Sequence, residues 1–229
     1  MSVRDPWFDP STEPVRRLHL APLVEWIRAH WRDGRSPRVL DYGCGDLLLA
    51  AMLGPDFVVD GFDIDPAARR AAARRVAGGQ GASVLDDRDM IPPGAYDGVV
   101  LSSVVQYLAG PVELEELLGR LSGALAPGAR GVLVTDVVVT GAGRVHDAVD
   151  LFREVTSAFG PVAAVRQVLR SARRSPGRLW APEPAELVAA CRSAGLVCHR
   201  LPANLSSFRR RATYLLHPPG SPPPPAVAT

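Results

Sequence analysis

The sequence contains no lysine, few cysteines and almost no net charge. All 26 basic residues are arginines and 24 residues are acidic, which gives a formal net charge of +2. Because this balance is close to neutral, we do not expect a polyanionic partner such as a nucleic acid. The cysteines Cys44, Cys191 and Cys198 have no zinc-site spacing. We therefore predict reduced thiols and no bound metal.

Long apolar runs are also missing. No run reaches the roughly 18–20 residues that span a bilayer, and residues 1–14 lack the charged-then-apolar order of a signal peptide. We therefore predict a cytoplasmic protein without membrane contacts, present as a monomer or a homodimer. The arginine clusters at 173–174 and 209–211 fit a biased arginine usage, and we predict that they are solvated or structural rather than contacts to an acidic ligand.

The 229 residues are enough for one domain with additions at its ends. Residues 1–37 are predicted as an N-terminal segment with an amphipathic helix at 14–31. Residues 38–217 are predicted as the main domain, in which 141–180 form an inserted helical cap. Residues 218–229 are rich in proline and are predicted to be disordered.

Strand and helix patterns alternate through the main domain. Short apolar runs at 38–41, 57–62, 82–86, 97–102 and 132–139 are separated by helical patterns. Such repeated strand–helix units predict an α/β fold with a Rossmann-like, doubly wound parallel sheet. A helix at 183–194 and two further strands, at 196–201 and 210–216, are predicted to complete the sheet.

Residues 39–46 contain the most informative motif. An apolar strand ends at Asp41, and Gly43 and Gly45 then form a turn before a helix. The next strand ends at Asp63, 22 positions after Asp41. Glycines allow close approach of a ligand, and an acid at this spacing can accept hydrogen bonds from ribose hydroxyls. Because Asp41 repels a pyrophosphate and attracts a cationic amino-acid group, the motif favours S-adenosyl-L-methionine (SAM) over NAD.

Five segments in order resemble the motifs of class I SAM-dependent methyltransferases. The resemblance covers about residues 14–217 and rests on 39–46, Asp63, 86–90, 96–103 and 125–133. It implies a seven-stranded sheet with the last strand antiparallel, and a cap inserted after the fifth strand. The first motif departs from the family at Leu47, where many members have a third glycine.

The resemblance also implies which residues hold the cofactor. Asp41 is expected to orient the ammonium group of SAM, Asp63 to bind the ribose and Asp87 to bind the adenine amino group. The full set of predicted cofactor-binding residues is Asp41, Gly43, Cys44, Gly45, Asp63, Ile64, Asp87, Arg88, Ser102 and Ser103.

The acceptor side is less well defined by the sequence. The segment 103–107 and the cap resemble methyltransferases of small molecules in specialised metabolism, which implies transfer to an oxygen or a nitrogen. No catalytic residue is identified; candidates for contact with the acceptor are Gln106, Tyr107, His146, Tyr214 and Asp136. The aromatic residues Trp26, Trp31, Phe152, Phe159 and Trp180 are candidates for lining the acceptor pocket.

Three alternatives remain open at this point. The chain could bind SAM without transferring a methyl group, because cofactor motifs report binding and not chemistry. A nicotinamide-dependent oxidoreductase is disfavoured because position 48, where its fingerprint has a third glycine, is Leu48. A nucleic-acid methyltransferase is disfavoured because no recognition domain and no basic excess is present.

Overall fold

The structure is a computed structural model that describes residues 12–32, 34–77, 79, 81–139, 144–172, 180–208 and 210–221. Its strands are β1 (Arg38–Tyr42), β2 (Val58–Phe62), β3 (Ala82–Val84), β4 (Gly98–Ser102), β5 (Val132–Val138), β6 (Val197–Arg200) and β7 (Arg211–His217). Its helices are α1 (Glu13–Trp31), α2 (Leu48–Leu53), α3 (Pro66–Val76), α4 (Pro111–Ala124), α5 (Arg144–Phe159), α6 (Pro161–Ala172) and α7 (Pro184–Ser193).

The seven strands form a single sheet in the order β3-β2-β1-β4-β5-β7-β6. The pairs from β3 to β5 are parallel, whereas β7 runs antiparallel to both β5 and β6. The prediction of a doubly wound, seven-stranded sheet with an antiparallel last strand is confirmed. Strands β2 and β3 are added on one side of β1, and β4 is added on its other side. The direction in which the sheet grows therefore reverses between β1 and β4.

Alternate residues of each strand pack on opposite faces of the sheet. On β1, Val39 belongs to the cluster that contains α1 and α2, whereas Leu40 belongs to the cluster that contains α4 and α7. On β4, Val100 belongs to the cluster with α1 and α2, whereas Val99 belongs to the cluster with α4 and α7. Since successive side chains of a strand point to opposite faces, continuous apolar runs are required here, and helices cover both faces.

Helix α1 packs against the amino-terminal end of β4. A Cβ atom at Gly98 would lie 2.6 Å from the Trp31 ring, so the absence of a side chain makes room for this indole. Trp26 and Trp31 are 5% and 2% exposed. The prediction that these two tryptophans line an acceptor pocket is therefore wrong, because the core beneath the sheet buries them.

The predicted cap is helical where the structure describes it. Helices α5 and α6 follow β5 and pack against each other through Leu151, Val155 and Ala164. Residues 141–143 and 173–179, and the tail from residue 222, lie outside the described residues. None of the described helices is long and apolar enough to cross a membrane.

Candidate active site

The candidate site lies at the carboxyl ends of β1, β2 and β4. These ends meet beside the point where the strand order reverses, which is where open α/β sheets form a crevice for ligands. Asp41 is the second-last residue of β1, Asp63 directly follows β2, and Ser103 directly follows β4. The structure thus brings together the three segments from which the sequence predicted cofactor contacts.

The glycine turn is held against the end of β2 by its own backbone. The amides of Gly43 and Cys44 both donate to the carbonyl oxygen of Phe62, at 2.7 and 3.0 Å. Gly43 has a φ of 79°, and a Cβ atom there would lie 2.4 Å from Cγ2 of Val104. Glycine is therefore required both by the backbone conformation and by the contact with the segment after β4.

Asp63 connects the two halves of the cofactor motif. Its Oδ2 accepts a hydrogen bond from the amide of Gly45 at 2.9 Å, and its Oδ1 accepts one from the amide of Asp65 at 2.9 Å. Burial raises the pKa of Asp63, although these two amides and Arg69 oppose the shift. Each carboxylate oxygen keeps a second lone pair, so the predicted pair of ribose hydroxyls can still be accepted.

Asp41 is an acid in an acidic, buried setting. The residue is 4% exposed, and burial, together with the charges of Asp63 and Asp46, raises its pKa to about 7. A cation placed beside Asp41 would favour its charged form and lower this pKa again. The electrostatics of the turn therefore suit a positively charged ligand group, as a sulfonium or an α-ammonium group would provide.

Cys44 has no sign of a reactive thiolate. It is 8% exposed, and burial together with the nearby carboxylates raises its pKa. Its backbone amide is already bonded to Phe62, so any contact with a ligand falls to its carbonyl, its α-carbon or its thiol. The part of the chain that the structure describes holds no group of three potential metal ligands.

Asp46, to which the sequence analysis assigned no role, is held by the buried Arg16 and the half-buried Arg75. Arg16 of α1 forms a two-pronged ion pair with its carboxylate at 2.6 and 2.8 Å, and Arg75 of α3 contacts it at 2.6 Å. Burial raises the pKa of Asp46, but these arginines outweigh that effect and lower it. Glu13 completes the network at 2.9 Å from Arg75. The network therefore fixes α1 over the glycine turn.

The predicted adenine-binding segments are exposed at the edge of the site. Asp87 uses one oxygen to accept from the amide of Asp89 at 2.9 Å, which caps a short 3-10 helix at Arg88–Met90. The side chain of Arg88 is 60% exposed, and Ile64 is 84% exposed. These positions are near the surface, where a ligand would add the contacts that the protein does not supply.

Ser103 and Asp136 meet where β4 and β5 end. Ser103 Oγ donates to Asp136 Oδ2 at 2.6 Å, and Ser206 Oγ donates to Asp136 Oδ1 at 2.8 Å. Arg211 Nε lies 3.6 Å from the same carboxylate, and Arg211 is 7% exposed. Within the cluster 209–211, Arg211 is therefore a buried structural residue and is not solvated. Arg211 also lines a cavity of about 440 Å³, together with Arg200 and other residues of 200–213.

The acceptor candidates are placed unequally. Gln106 is 5% exposed, and its backbone carbonyl oxygen accepts a hydrogen bond at 3.0 Å from the backbone amide of Trp180, at the end of the cap. Tyr107 is 69% exposed, whereas Tyr214 is 9% exposed and belongs to the core cluster with α4 and α7. His146 lies on α5, but its side chain is outside the described residues.

Sequence reasoning missed the partners of Asp46 and Asp136. Arg16 is 30 positions from Asp46, and Ser206 is 70 positions from Asp136. No local periodicity links residues so far apart. The only signals in the sequence were an acid in the glycine turn and an acid in an apolar strand, because a buried charge requires partners.

Comparisons with known proteins agree with this geometry. Residues 40–130 match a family model described as a methyltransferase domain. The ribosomal protein L11 methyltransferase of Burkholderia vietnamiensis (strain G4 / LMG 22486) is 32% identical over 126 residues, which are 54% of this chain and 38% of that protein. The chain thus spans less than half the length of the curated relatives that it matches.

Solved structures share the fold over most of the chain. Magnesium protoporphyrin IX methyltransferase from Synechocystis PCC 6803, solved with bound SAH, covers 94% of this chain and 98% of its own, with 17% identity and a TM-score of 0.58. NcsB1, an O-methyltransferase from neocarzinostatin biosynthesis solved with SAH and 1,4-dihydroxy-2-naphthoic acid, covers 92% and 57%, with 20% identity and a TM-score of 0.58. The sequence match over residues 40–130 and the shared fold lead to one conclusion: residues 40–130 are similar to a methyltransferase domain, and the chain has the Rossmann-like fold of class I SAM-dependent methyltransferases.

Proposed function

We propose that the chain transfers a methyl group from SAM to an oxygen or a nitrogen of a small-molecule acceptor. The observation that carries the cofactor assignment is the buried Asp41 at the end of β1, beside a glycine turn whose Gly45 amide donates to Asp63, so that a cationic ligand group here would offset the neighbouring carboxylates. SAM supplies a methyl carbon that is already electrophilic because it is bound to a sulfonium. The protein then has to hold the acceptor in line and exclude water.

The proposed contacts divide the cofactor among three strand ends. Asp41, Gly43, Cys44 and Gly45 would face its methionine part, and Asp63 would accept from the ribose. Around the adenine, the proposed contacts are Ile64, Asp87 and Arg88. Ser102 and Ser103 would line another side of the cofactor site, at the end of β4. Asp87 supports this placement because only one of its oxygens is bonded to the amide of Asp89.

A small acceptor is favoured by the inserted cap. Helices α5 and α6 follow β5 directly and carry half-exposed apolar residues, among them Phe152 and Phe159. The end of the cap is joined to the segment after β4 by a hydrogen bond from the Trp180 backbone amide to the Gln106 backbone carbonyl. These features fit a partly covered, apolar pocket. The neighbour NcsB1 was solved with a small aromatic acid, which supports the same class of acceptor.

A protein acceptor is the second candidate, because the relative from Burkholderia vietnamiensis is named as a methyltransferase of ribosomal protein L11. The match covers only 38% of that relative. We propose in addition a monomeric or homodimeric cytoplasmic enzyme of specialised metabolism, acting without metal, membrane or nucleic acid.

Calorimetric titration with SAM and with its demethylated product, S-adenosyl-L-homocysteine (SAH), tests the cofactor assignment. We expect micromolar binding to the unmodified protein and at least tenfold weaker binding to Asp63→Ala, equivalent to about 1.4 kcal/mol. Asp56→Ala is the matched control, because the Asp56 side chain is 54% exposed and forms a surface ion pair with Arg32 at 3.3 Å. Equal binding by Asp63→Ala would contradict the proposed site.

Production of SAH in the presence of acceptor candidates then tests catalysis. Phenols, amines and purified ribosomal protein L11 separate the two candidate acceptor classes. SAH formation only with the small molecules supports the proposal of a small acceptor. SAH formation only with ribosomal protein L11 contradicts that proposal and supports a protein acceptor instead. Cofactor binding without turnover by any acceptor supports a SAM-binding protein that does not transfer methyl groups.

A further inference from the structure

Two residues other than glycine adopt the left-handed backbone conformation side by side at the site. Ser103 has a φ of 59° and Asp136 a φ of 60°, and their side chains are joined by the 2.6 Å hydrogen bond. Side chains rarely tolerate this conformation, and such strain persists where surrounding contacts enforce it, often at functional sites. Asp136 also lies where the register between β5 and β7 shifts, between Val134 and Val137. Bulges of this kind redirect a side chain.

The contacts of Asp136 determine the direction of the hydrogen bond from Ser103. Asp136 is 4% exposed, Arg211 Nε lies 3.6 Å from its carboxylate, and a carboxylate only accepts hydrogen bonds. Ser206 already donates to the other oxygen. The single hydroxyl proton of Ser103 is therefore directed at Asp136, and the lone pairs of Ser103 Oγ remain available to accept from another group.

The position of Ser103 places this oxygen next to the proposed cofactor. The following residue, Val104, is the one that packs against Gly43 of the glycine turn. Three residues after Ser103, the buried Oε1 of Gln106 has no hydrogen-bond partner among the residues that the structure describes. Two hydrogen-bond acceptors thus occur on one short segment at the edge of the site.

We propose that Ser103 Oγ accepts a hydrogen bond from the nucleophilic group of the acceptor, and that Asp136 is the positioning residue that orients Ser103. This inference rests on the proposed function and narrows its substrate class. The methylated group carries an O–H or N–H before transfer, and the hydrogen bond turns its lone pair towards the methyl carbon. As the new O–C or N–C bond forms, the C–S bond breaks, SAH leaves as a neutral thioether, and the proton of the methylated group passes to water. An acceptor group that lacks such a hydrogen leaves the Ser103 oxygen without its partner.

Binding of a matched pair of probes tests the proposal without a known acceptor. We use 1-naphthol and its methyl ether, 1-methoxynaphthalene, with protein saturated by SAH. The unmodified protein is expected to bind 1-naphthol at least tenfold more tightly than the ether. In Ser103→Gly and Asp136→Asn this ratio is expected to fall below threefold. Both substitutions suit a positive φ, because glycine and asparagine adopt that conformation most readily.

The control separates a local role from a general one. Ser83 Oγ donates to Asp60 Oδ1 at 2.5 Å, which is a second serine–aspartate hydrogen bond, between β3 and β2. Ser83→Ala is expected to keep the probe ratio of the unmodified protein. The SAH affinity of Asp136→Asn is expected to stay within threefold, which a collapse of the site would not allow.

The outcomes distinguish this proposal from the proposed function. If the unmodified protein does not bind SAH, the cofactor assignment fails and this inference fails with it. If SAH binds but neither probe binds, or both bind equally, the role of Ser103 is overturned and the cofactor assignment stands. If Ser103→Gly and Asp136→Asn both still bind 1-naphthol at least tenfold more tightly than the ether, the role of Ser103 is likewise overturned.

Discussion

The side chain of Leu47 occupies the space above Gly61. A Cβ atom at position 61 would lie 2.4 Å from Leu47 Cδ1 and 3.0 Å from Cys44 Sγ. Leu47 has a φ of 59° at the position where many related methyltransferases have glycine, and it is fully buried. Left-handed strain costs about 1–2 kcal/mol, whereas loss of a buried leucine side chain costs about 2–5 kcal/mol. Burial therefore outweighs the strain, and leucine is tolerated.

We expect Gly61→Ala to destabilise the protein by about 1–3 kcal/mol, because the added methyl group forces the glycine turn off β2. Urea unfolding measures this change. Leu47→Ala in the same chain removes the Cδ1 contact, so the effect of the second substitution should be smaller than in the unmodified protein. Strictly additive effects of the two substitutions would contradict the contact.

We expect Asp41→Asn to stabilise the protein at high pH and to weaken SAM binding. The folded-state pKa of about 7 lies above the ordinary 3.8, so the folded state holds this proton more tightly. The resulting stabilisation is present at low pH and is lost as pH rises from about 4 to 7. The gain from Asp41→Asn should therefore be roughly 2–3 kcal/mol larger at pH 8 than at pH 5. Urea unfolding at both pH values measures it, and exposed Asp56→Asn should show no such difference.

We expect Arg16→Gln to lower the free energy of unfolding by about 3 kcal/mol, because it removes one partner of a buried ion pair. The side chains of Arg16 and Asp46 are 6% and 7% exposed. Arg17 is the control: it pairs with Glu13 one turn away, and its side chain is 45% exposed. Arg17→Gln should change stability by less than about 0.5 kcal/mol. Equal effects in urea unfolding would mean that the buried network does not hold α1.

We expect Gly98→Ala to lower stability without changing SAH affinity. Its Cβ atom would lie 2.6 Å from the Trp31 ring, and the contact is at the amino-terminal end of β4, away from the candidate site. Thermal unfolding combined with calorimetric SAH titration separates the two effects. A drop in SAH affinity of the folded variant would show that packing beneath the sheet reaches the site.

Local sequence patterns were sufficient to predict the cofactor half of the site. Asp41, Gly43 and Gly45 are close in the chain, and Asp63 is one strand–helix–strand unit further on. Because parallel strands of one sheet end at the same edge, this spacing already places the residues together. The assignment of these residues to SAM stays a prediction until binding is measured.

The acceptor half could not be predicted in the same way. Asp136 was a candidate only as an acid at a strand end, and nothing in the sequence indicated the shift in register at which it sits. Its partners Ser206 and Arg211 come from the segment before and at the start of β7, which the antiparallel pairing with β5 brings back to this edge.

By itself, the sequence determined the order of the elements, the two-faced core and the glycine turn, because each depends on periodicity and on residues that are neighbours along the chain. Only the tertiary structure decided which charges are buried together. Arg16 reaches Asp46 and Arg211 reaches Asp136 because sheet pairing and helix packing bring distant segments together. A buried charge must find a partner in space, and the sequence records the charge without recording the partner.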